Sequence, residues 1–123
     1  MDKGQALQAF WSSFDIPAYD ESTVPDDALL PYITYQVQTD SIDTVLMSTA
    51  SVWYKGYSWK DISKKVDERA ERIARIYPPA FKLDKGRLYI SMGTPFAQRM
   101  SEPEDDSIRR IVLNVNYEFL TEF

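Results

Sequence analysis

Alternating apolar and polar residues predict four β-strands in this chain. The clearest alternation runs over 108–120, and segments 32–39 and 86–93 follow the same period of two. Segment 44–57 alternates less regularly, which indicates a strand partly covered on both faces. Short links join the first two strands and the last two, so we expect each pair to be an antiparallel hairpin.

On these strands the alternate apolar positions should face the protein core. On the first strand they are Ile33, Tyr35 and Val37, and on the last they are Ile111, Leu113, Val115, Tyr117 and Phe119. The opposite face carries polar residues that are uncharged, which is unusual for a surface in contact with water: Thr34, Gln36, Gln38, Ser48, Asn114 and Asn116. Amides and hydroxyls can cross a protein boundary without the desolvation cost of charges. The pattern fits a subunit interface or lumen and a plain solvated sheet face equally well.

Apolar residues at helical spacing predict two helices. The first, over 3–14, carries the stripe Leu7, Phe10, Trp11 and Phe14. The second, over 59–77, follows the N-cap candidate Ser58 and ends at the two prolines 78 and 79, with the stripe Ile62, Val66, Ala70, Ile73 and Tyr77. Segment 15–31 has no periodicity and predicts a long irregular surface connection.

These elements define the expected fold. The 123 residues suit one domain, here 1–123. Runs of strands joined as hairpins favour an α+β domain: a mainly antiparallel four-stranded sheet with two helices packed on one face, in the order α-β-β-α-β-β.

Aromatic residues make up 14% of the chain, more than this core needs. We expect four of them to fill the core: Phe10, Trp11, Trp59 and Tyr117. The pattern does not hide Tyr32, Trp53, Tyr54 and Tyr57 so easily, and tyrosine and tryptophan outside a core are enriched at protein interfaces. A core role and contact with another chain are equally open for these four.

Composition narrows the possible chemistry. The chain has no cysteine and no histidine, which excludes thiolate chemistry, disulfides and the commonest general base. Its glycines lack the spacing of a phosphate loop, so no catalytic or cofactor-binding residue is predicted. The acids Glu102, Glu104, Asp105 and Asp106 lack the alternate spacing of a calcium loop, so a solvated loop is favoured over a metal site. No membrane segment is expected, because no apolar run approaches the required length.

Charge is unevenly distributed along the chain. The net charge is −5, yet 59–87 carries nine basic and five acidic residues. Such a dipolar protein suits head-to-tail assembly. We expect Lys64, Lys65 and Arg69 of one copy to approach an acidic loop of its neighbour, either 20–27 or 102–106.

The arrangement as a whole resembles a known family. A short N-terminal helix, an acidic connection, a strand opening "LPYITYQV", a hairpin, a charged helix ending in proline and two strands closing on "IVLNVNYEF" resemble the tail terminator (tail completion) proteins of long-tailed bacteriophages. The likeness covers nearly the whole chain, and its most telling local piece is 30–37. Head-tail connector and head-closure proteins of the phage neck are of similar size and stay open as the alternative.

The resemblance implies a structural role without catalytic residues or a cofactor. Such a protein would form a hexameric ring on the last ring of the major tail tube protein, end tail polymerisation and present a surface to the head-tail connector or stopper protein. It would be assembled in the host cytoplasm and reside in the virion, at the head-proximal end of the tail. Genomic DNA would pass through the lumen without specific contacts. A third, different possibility is a small enzyme or ligand-binding domain, which needs a closed apolar pocket lined by Trp53, Tyr54 and Tyr57.

Overall fold

The fold is known from a computed structural model, which describes residues 1–37, 44–75, 80–101 and 107–121. Two helices and six strands form in this order: α1 (Lys3–Ser12), β1 (Ala18–Asp20), β2 (Tyr32–Tyr35), β3 (Thr44–Lys55), α2 (Trp59–Arg75), β4 (Ala80–Leu83), β5 (Gly86–Ser101) and β6 (Ile108–Thr121). A single 3-10 turn, Gly56–Ser58, leads from β3 into α2.

The six strands make one sheet in the order β1-β2-β3-β6-β5-β4. Strand β1 runs parallel to β2, and the other neighbouring strands are antiparallel. The α+β class is therefore confirmed, but four strands and the order α-β-β-α-β-β are wrong. The two added strands, β1 and β4, contain three and four residues. Runs this short carry too little alternation to be recognised, and β1 lies inside the segment predicted to be irregular.

Strand β6 lies at the centre of the sheet. It pairs with β3 from Thr44↔Phe119 to Lys55↔Ile108, and with β5 on its other side. Its five predicted core residues are all buried, which confirms this strand and the face it turns inward. Strand β5 is longer than predicted, because it continues past an irregularity between Met92 and Ala97 as far as Ser101.

Helix α1 begins with a capping box, in which the Asp2 carboxylate accepts a hydrogen bond from the Gln5 amide and the Gln5 side chain accepts one from Asp2. Its predicted stripe is buried, including Phe14 just beyond its last turn. The Trp11 indole donates a hydrogen bond of 2.9 Å to the Tyr117 hydroxyl of β6. This bond connects α1 to the middle of the sheet.

Helix α2 packs on the same side of the sheet as α1. Its residues Ile62 and Val66 are buried in the cluster that contains the α1 stripe and the inward face of β6. The helix begins at Trp59, directly after the predicted cap Ser58. The predicted end, with Tyr77 and the prolines 78 and 79, lies outside the described residues.

Three positions differ from their expected burial, and Tyr54, for which core and interface were equally open, is buried. Val37 follows the end of β2 and is 45% exposed, so it does not join Ile33 and Tyr35 in the core. Trp59, the first residue of α2 after the 3-10 turn, is exposed rather than buried. Ser48 and Tyr54 are buried, because the even-numbered residues of β3 point towards the helices.

Candidate functional site

The sheet face opposite the helices, called the outer face here, holds most of the predicted interface residues. Register places Thr34 beside Ser51, Thr49 beside Asn114, and Met47 beside Asn116. Paired residues share a face, so these six side chains lie together. The expected uncharged surface therefore exists, with Thr49 and Ser51 in place of Ser48. Counting alternate positions from Val45, through Met47 to Trp53, was enough to find both.

At one end of the outer face, side chains from three strands contact one another. The Trp53 indole donates a hydrogen bond of 3.0 Å to the Thr34 hydroxyl, which joins β3 to β2. The Arg110 guanidinium of β6 lies 5.2 Å from the centre of the Trp53 ring. Trp53 is half-buried as a result. Part of this polar surface therefore stabilises the sheet itself.

At the centre of the outer face, two asparagines of β6 hold the irregular part of β5. The Asn114 side-chain amide donates to the Pro95 carbonyl at 2.8 Å, and the Asn116 amide donates to the Met92 carbonyl at 3.5 Å. Between them, Gly93 lies so close to β6 that a Cβ would be 2.9 Å from the Asn114 Cβ. Gly93 and Pro95 inside a strand are the sequence signal of a bulge that was missed.

Apolar side chains are exposed beside these asparagines. Met47 is 82% exposed, and its neighbour Val45 is exposed on the same strand. A shallow cavity of about 410 Å³ lies beside these side chains. Its lining includes Met47, Asn114 and Asn116 together with Gly93 and Thr94 of β5. The outer face thus combines internally bonded polar groups with exposed apolar ones, a composition found at protein interfaces.

Of the other polar and acidic residues predicted at the interface, only Gln36 is among the described residues. Gln36 is half-buried just after β2. Gln38 and the acidic residues Glu102, Glu104, Asp105 and Asp106 lie outside the described residues.

The three basic residues predicted to meet a neighbour have different surroundings. Lys65 contacts Asp15, with its amino group 3.7 Å from the carboxylate and 3.2 Å from the carbonyl oxygen. Arg69 donates to the Ser13 hydroxyl at 2.8 Å and lies over the Phe10 ring. These two side chains therefore fasten α2 to the α1–β1 connection of their own chain. Lys64 is exposed, 3.9 Å from the Glu68 carboxylate, and remains available to a neighbour.

Trp53, Tyr54 and Tyr57 do not share a pocket. Trp53 is on the outer face, Tyr54 is buried on the helix side, and Tyr57 is 88% exposed on the 3-10 turn. The condition for a small enzyme or ligand-binding domain is therefore not met by these residues. The buried position of Tyr54 also argues against its predicted interface role.

A cleft of about 400 Å³ is present near this end of the molecule, on the helix side of the sheet. Its lining combines aromatic and basic side chains: Tyr54, Trp59, Arg99 and Arg109, with Gly56 and Met100. The Arg99 guanidinium lies 5.1 Å from the centre of the exposed Trp59 ring. The hydrophobic pattern did not reveal this pair, because it placed Trp59 in the core and ended the strand before Arg99.

Burial changes the acidity of two tyrosines on the helix side. It raises the pKa of Tyr117 to about 12, while the hydrogen bond from Trp11 acts in the opposite direction. Burial, and then the Asp20 carboxylate, raises the pKa of Tyr35, whose hydroxyl donates to Gln8. Both hydroxyls are engaged in hydrogen bonds with side chains of α1, which is a structural use of these groups.

No protein-family model matches the chain, and no curated protein matches it. Within the described ranges, no cluster of three or more acidic side chains is arranged to hold a metal ion. None of the helices formed by these residues is long and apolar enough to cross a membrane.

Proposed function

We propose that this chain is a structural, non-catalytic subunit of a phage tail, namely a tail terminator. It would form a hexameric ring on the head-proximal end of the tail tube, stop its growth, and provide the surface for the head-tail connector or stopper protein. The proposal rests on the family resemblance of the sequence, which covers the arrangement of nearly the whole chain.

Among the structural features, the outer face gives this proposal its main support. Both helices pack on the other side of the sheet, so among the described residues none covers Thr49, Asn114 or Met47 from outside. Its polar groups carry little desolvation cost, because Asn114 and Asn116 already donate within the sheet. Met47 and Val45 add apolar surface that a partner can bury.

The distribution of charge along the chain supports self-assembly through contacts between two different surfaces of the protein. Apart from Lys3, every lysine and arginine of the chain lies at or after Lys55. A contact between two different surfaces of one chain closes into a ring when the rotation between copies allows it. An acidic chain around a lumen would also repel the DNA backbone and let it pass.

The proposal is tested by adding this protein to the polymerisation of the tail tube protein whose gene lies nearest to its own. Added at low molar ratio, a terminator should shorten the tubes and appear as a ring at one end in electron micrographs. A neck protein, the alternative, should leave tube length unchanged and bind the connector instead. Tubes of unaltered length without end rings would contradict the proposal.

A further inference from the structure

A groove runs between α2 and β5 on the helix side of the sheet. One wall is the side of α2 that carries Trp59, Ser63 and Asp67, spaced one turn apart. The other wall carries Ala97 and Arg99. The cleft of about 400 Å³ and a second cavity of about 260 Å³ both include Arg99 and together form this groove.

The groove is open because α2 lies beside this part of β5 without covering it. Ala97 and Arg99 pair with Leu113 and Ile111, whose side chains point into the core. Ala97 and Arg99 therefore point to the helix side as well, yet both are exposed. Two residues on the core side of the sheet are therefore left exposed, with only the Trp59 side of α2 beside them.

The strand edge beside the groove is open too. Strand β4 pairs with β5 only over 86–89, so no described strand lies against the remaining residues 90–101 on that side. The opposite edge of the sheet is closed. There the Ala18 carbonyl accepts from the Gln8 side chain at 3.0 Å, and the Asp20 carbonyl accepts from the Thr23 amide at 2.9 Å. Unpaired edges bind other chains when they are not protected.

The connection between β1 and β2 carries a segment that matches the groove in chemistry. In segment 25–30 Asp26 and Asp27 are exposed, and Leu29 is 83% exposed. A leucine this exposed beside two acidic residues is suited to fill an apolar recess next to an arginine. Ala97 and the Trp59 ring supply the recess, and Arg99 supplies the positive charge.

Within one chain this segment and the groove cannot meet. The segment joins β1 to β2, whereas the groove is at β5, and β3 and β6 lie between. Three strand spacings of about 4.8 Å separate β2, which directly follows the segment, from β5, roughly 14 Å in all. The groove can receive segment 25–30 only from another copy.

We propose that the groove between α2 and β5 binds segment 25–30 of a neighbouring copy, with Leu29 against Ala97 and Trp59 and the two aspartates beside Arg99. The contact joins opposite edges of two sheets, so each copy uses one groove and one segment. A ring requires such a contact between two different surfaces of the protein, and in that respect the inference rests on the proposed function.

Disulfide trapping tests the contact directly, because the chain has no cysteine of its own. Leu29→Cys and Ala97→Cys are made as separate variants, mixed and oxidised. The mixture should give a crosslinked dimer in higher yield than either variant alone, and the double variant in one chain should give a ladder of multimers. Equal yields from a mixture of Ala9→Cys with Ala97→Cys, a control at an exposed position of α1 outside both proposed surfaces, would overturn the proposal. So would the absence of any crosslink.

Reversing the charges on the two sides of the contact gives a second, independent test. Arg99→Glu should lower the yield of the crosslink between positions 29 and 97 about tenfold, because attraction becomes repulsion. Combining it with Asp26→Lys and Asp27→Lys on the partner should restore most of the yield. A crosslink yield that Arg99→Glu leaves unchanged would show that Arg99 takes no part in the contact.

The two proposals can fail separately. Wild-type protein that shortens tail tubes but gives no specific crosslink would keep the terminator role and reject this contact. A specific crosslink from a protein that leaves tubes unchanged would establish self-assembly through the groove for a different purpose.

Discussion

Asn114 donates its side-chain amide to the carbonyl of Pro95 at 2.8 Å, from one strand of the outer face to the next. The bond holds the irregular section of β5 against the centre of the sheet. A residue that the sequence offered as a contact for a neighbouring subunit is therefore also part of the fold. Its two roles can be separated by measurement.

Asn114→Ala should lower the free energy of unfolding by about 1 kcal/mol, because it removes one hydrogen bond and leaves the Pro95 carbonyl without its donor. Urea unfolding measures the change. Asn116→Ala is the matched control, since its bond to Met92 is 3.5 Å long and should contribute less. Equal losses in both variants would contradict this account of the bulge.

Gly93→Ala should destabilise the protein by about 1 to 3 kcal/mol, because the new methyl group meets β6. It would lie 2.9 Å from the Asn114 Cβ and 3.0 Å from its carbonyl oxygen. Gly4→Ala is the control, with a nearest contact of 3.5 Å to the Asp2 side chain in a helix that favours alanine. Thermal unfolding should leave the second variant unchanged or more stable. A stable Gly93→Ala protein would mean that β5 can move away.

Stability should fall as pH rises from about 10 to about 12, because the folded pKa of Tyr117 is raised to about 12. The ordinary pKa of a tyrosine is 10.0, so the unfolded chain loses this proton first. The stabilising contribution is therefore fully present below pH 10 and is lost as the pH rises through the folded pKa. The raised pKa of Tyr35 acts in the same direction.

Tyr117→Phe tests this assignment. The variant should be less stable by about 1 to 3 kcal/mol near neutral pH, because the buried Trp11 indole loses its acceptor. It should also show a weaker decline in stability above pH 10. Tyr57→Phe, at an 88% exposed position, is the control and should follow the parent protein. An unchanged alkaline decline in Tyr117→Phe would assign the effect to other groups.

Met47→Glu should abolish the shortening of tail tubes while leaving stability within about 0.5 kcal/mol, as expected for an exposed site. The charge would be placed on the uncovered outer face, where burial against a partner would leave it unpaired. Ala9→Glu adds the same charge to an exposed position of α1 and should keep full activity. If both variants cap tubes normally, the outer face is not the contact surface.

Lys64→Glu should weaken self-association without a measurable change in stability, since its side chain is largely exposed. Lys65→Glu should lower stability slightly instead, because Lys65 contacts Asp15 in its own chain. Light scattering and urea unfolding distinguish the two. Unchanged association in Lys64→Glu would count against contact between α2 and an acidic loop of the neighbour.

Elements that carry a repeated local pattern could be predicted from sequence. The alternation of β6 and the stripes of α1 and α2 repeat often enough for their inward faces to be recognised. Strands β1 and β4 could not be, because three or four residues are too few to show a period and become a strand only by pairing with a neighbouring strand. The uncharged character of the outer face was also visible, but its internal hydrogen bonds were not.

The sequence by itself determined which residues enter the core from β6 and α1, because hydrophobic periodicity is a local property of the chain. It also determined the separation of acidic from basic segments. Only the tertiary structure decided that Asn114 holds the bulge at Gly93, that Lys65 and Arg69 contact their own chain, and that a groove opens beside Arg99. Each of these features depends on the register between strands or on the placement of a helix. Each therefore depends on contacts between residues far apart in sequence.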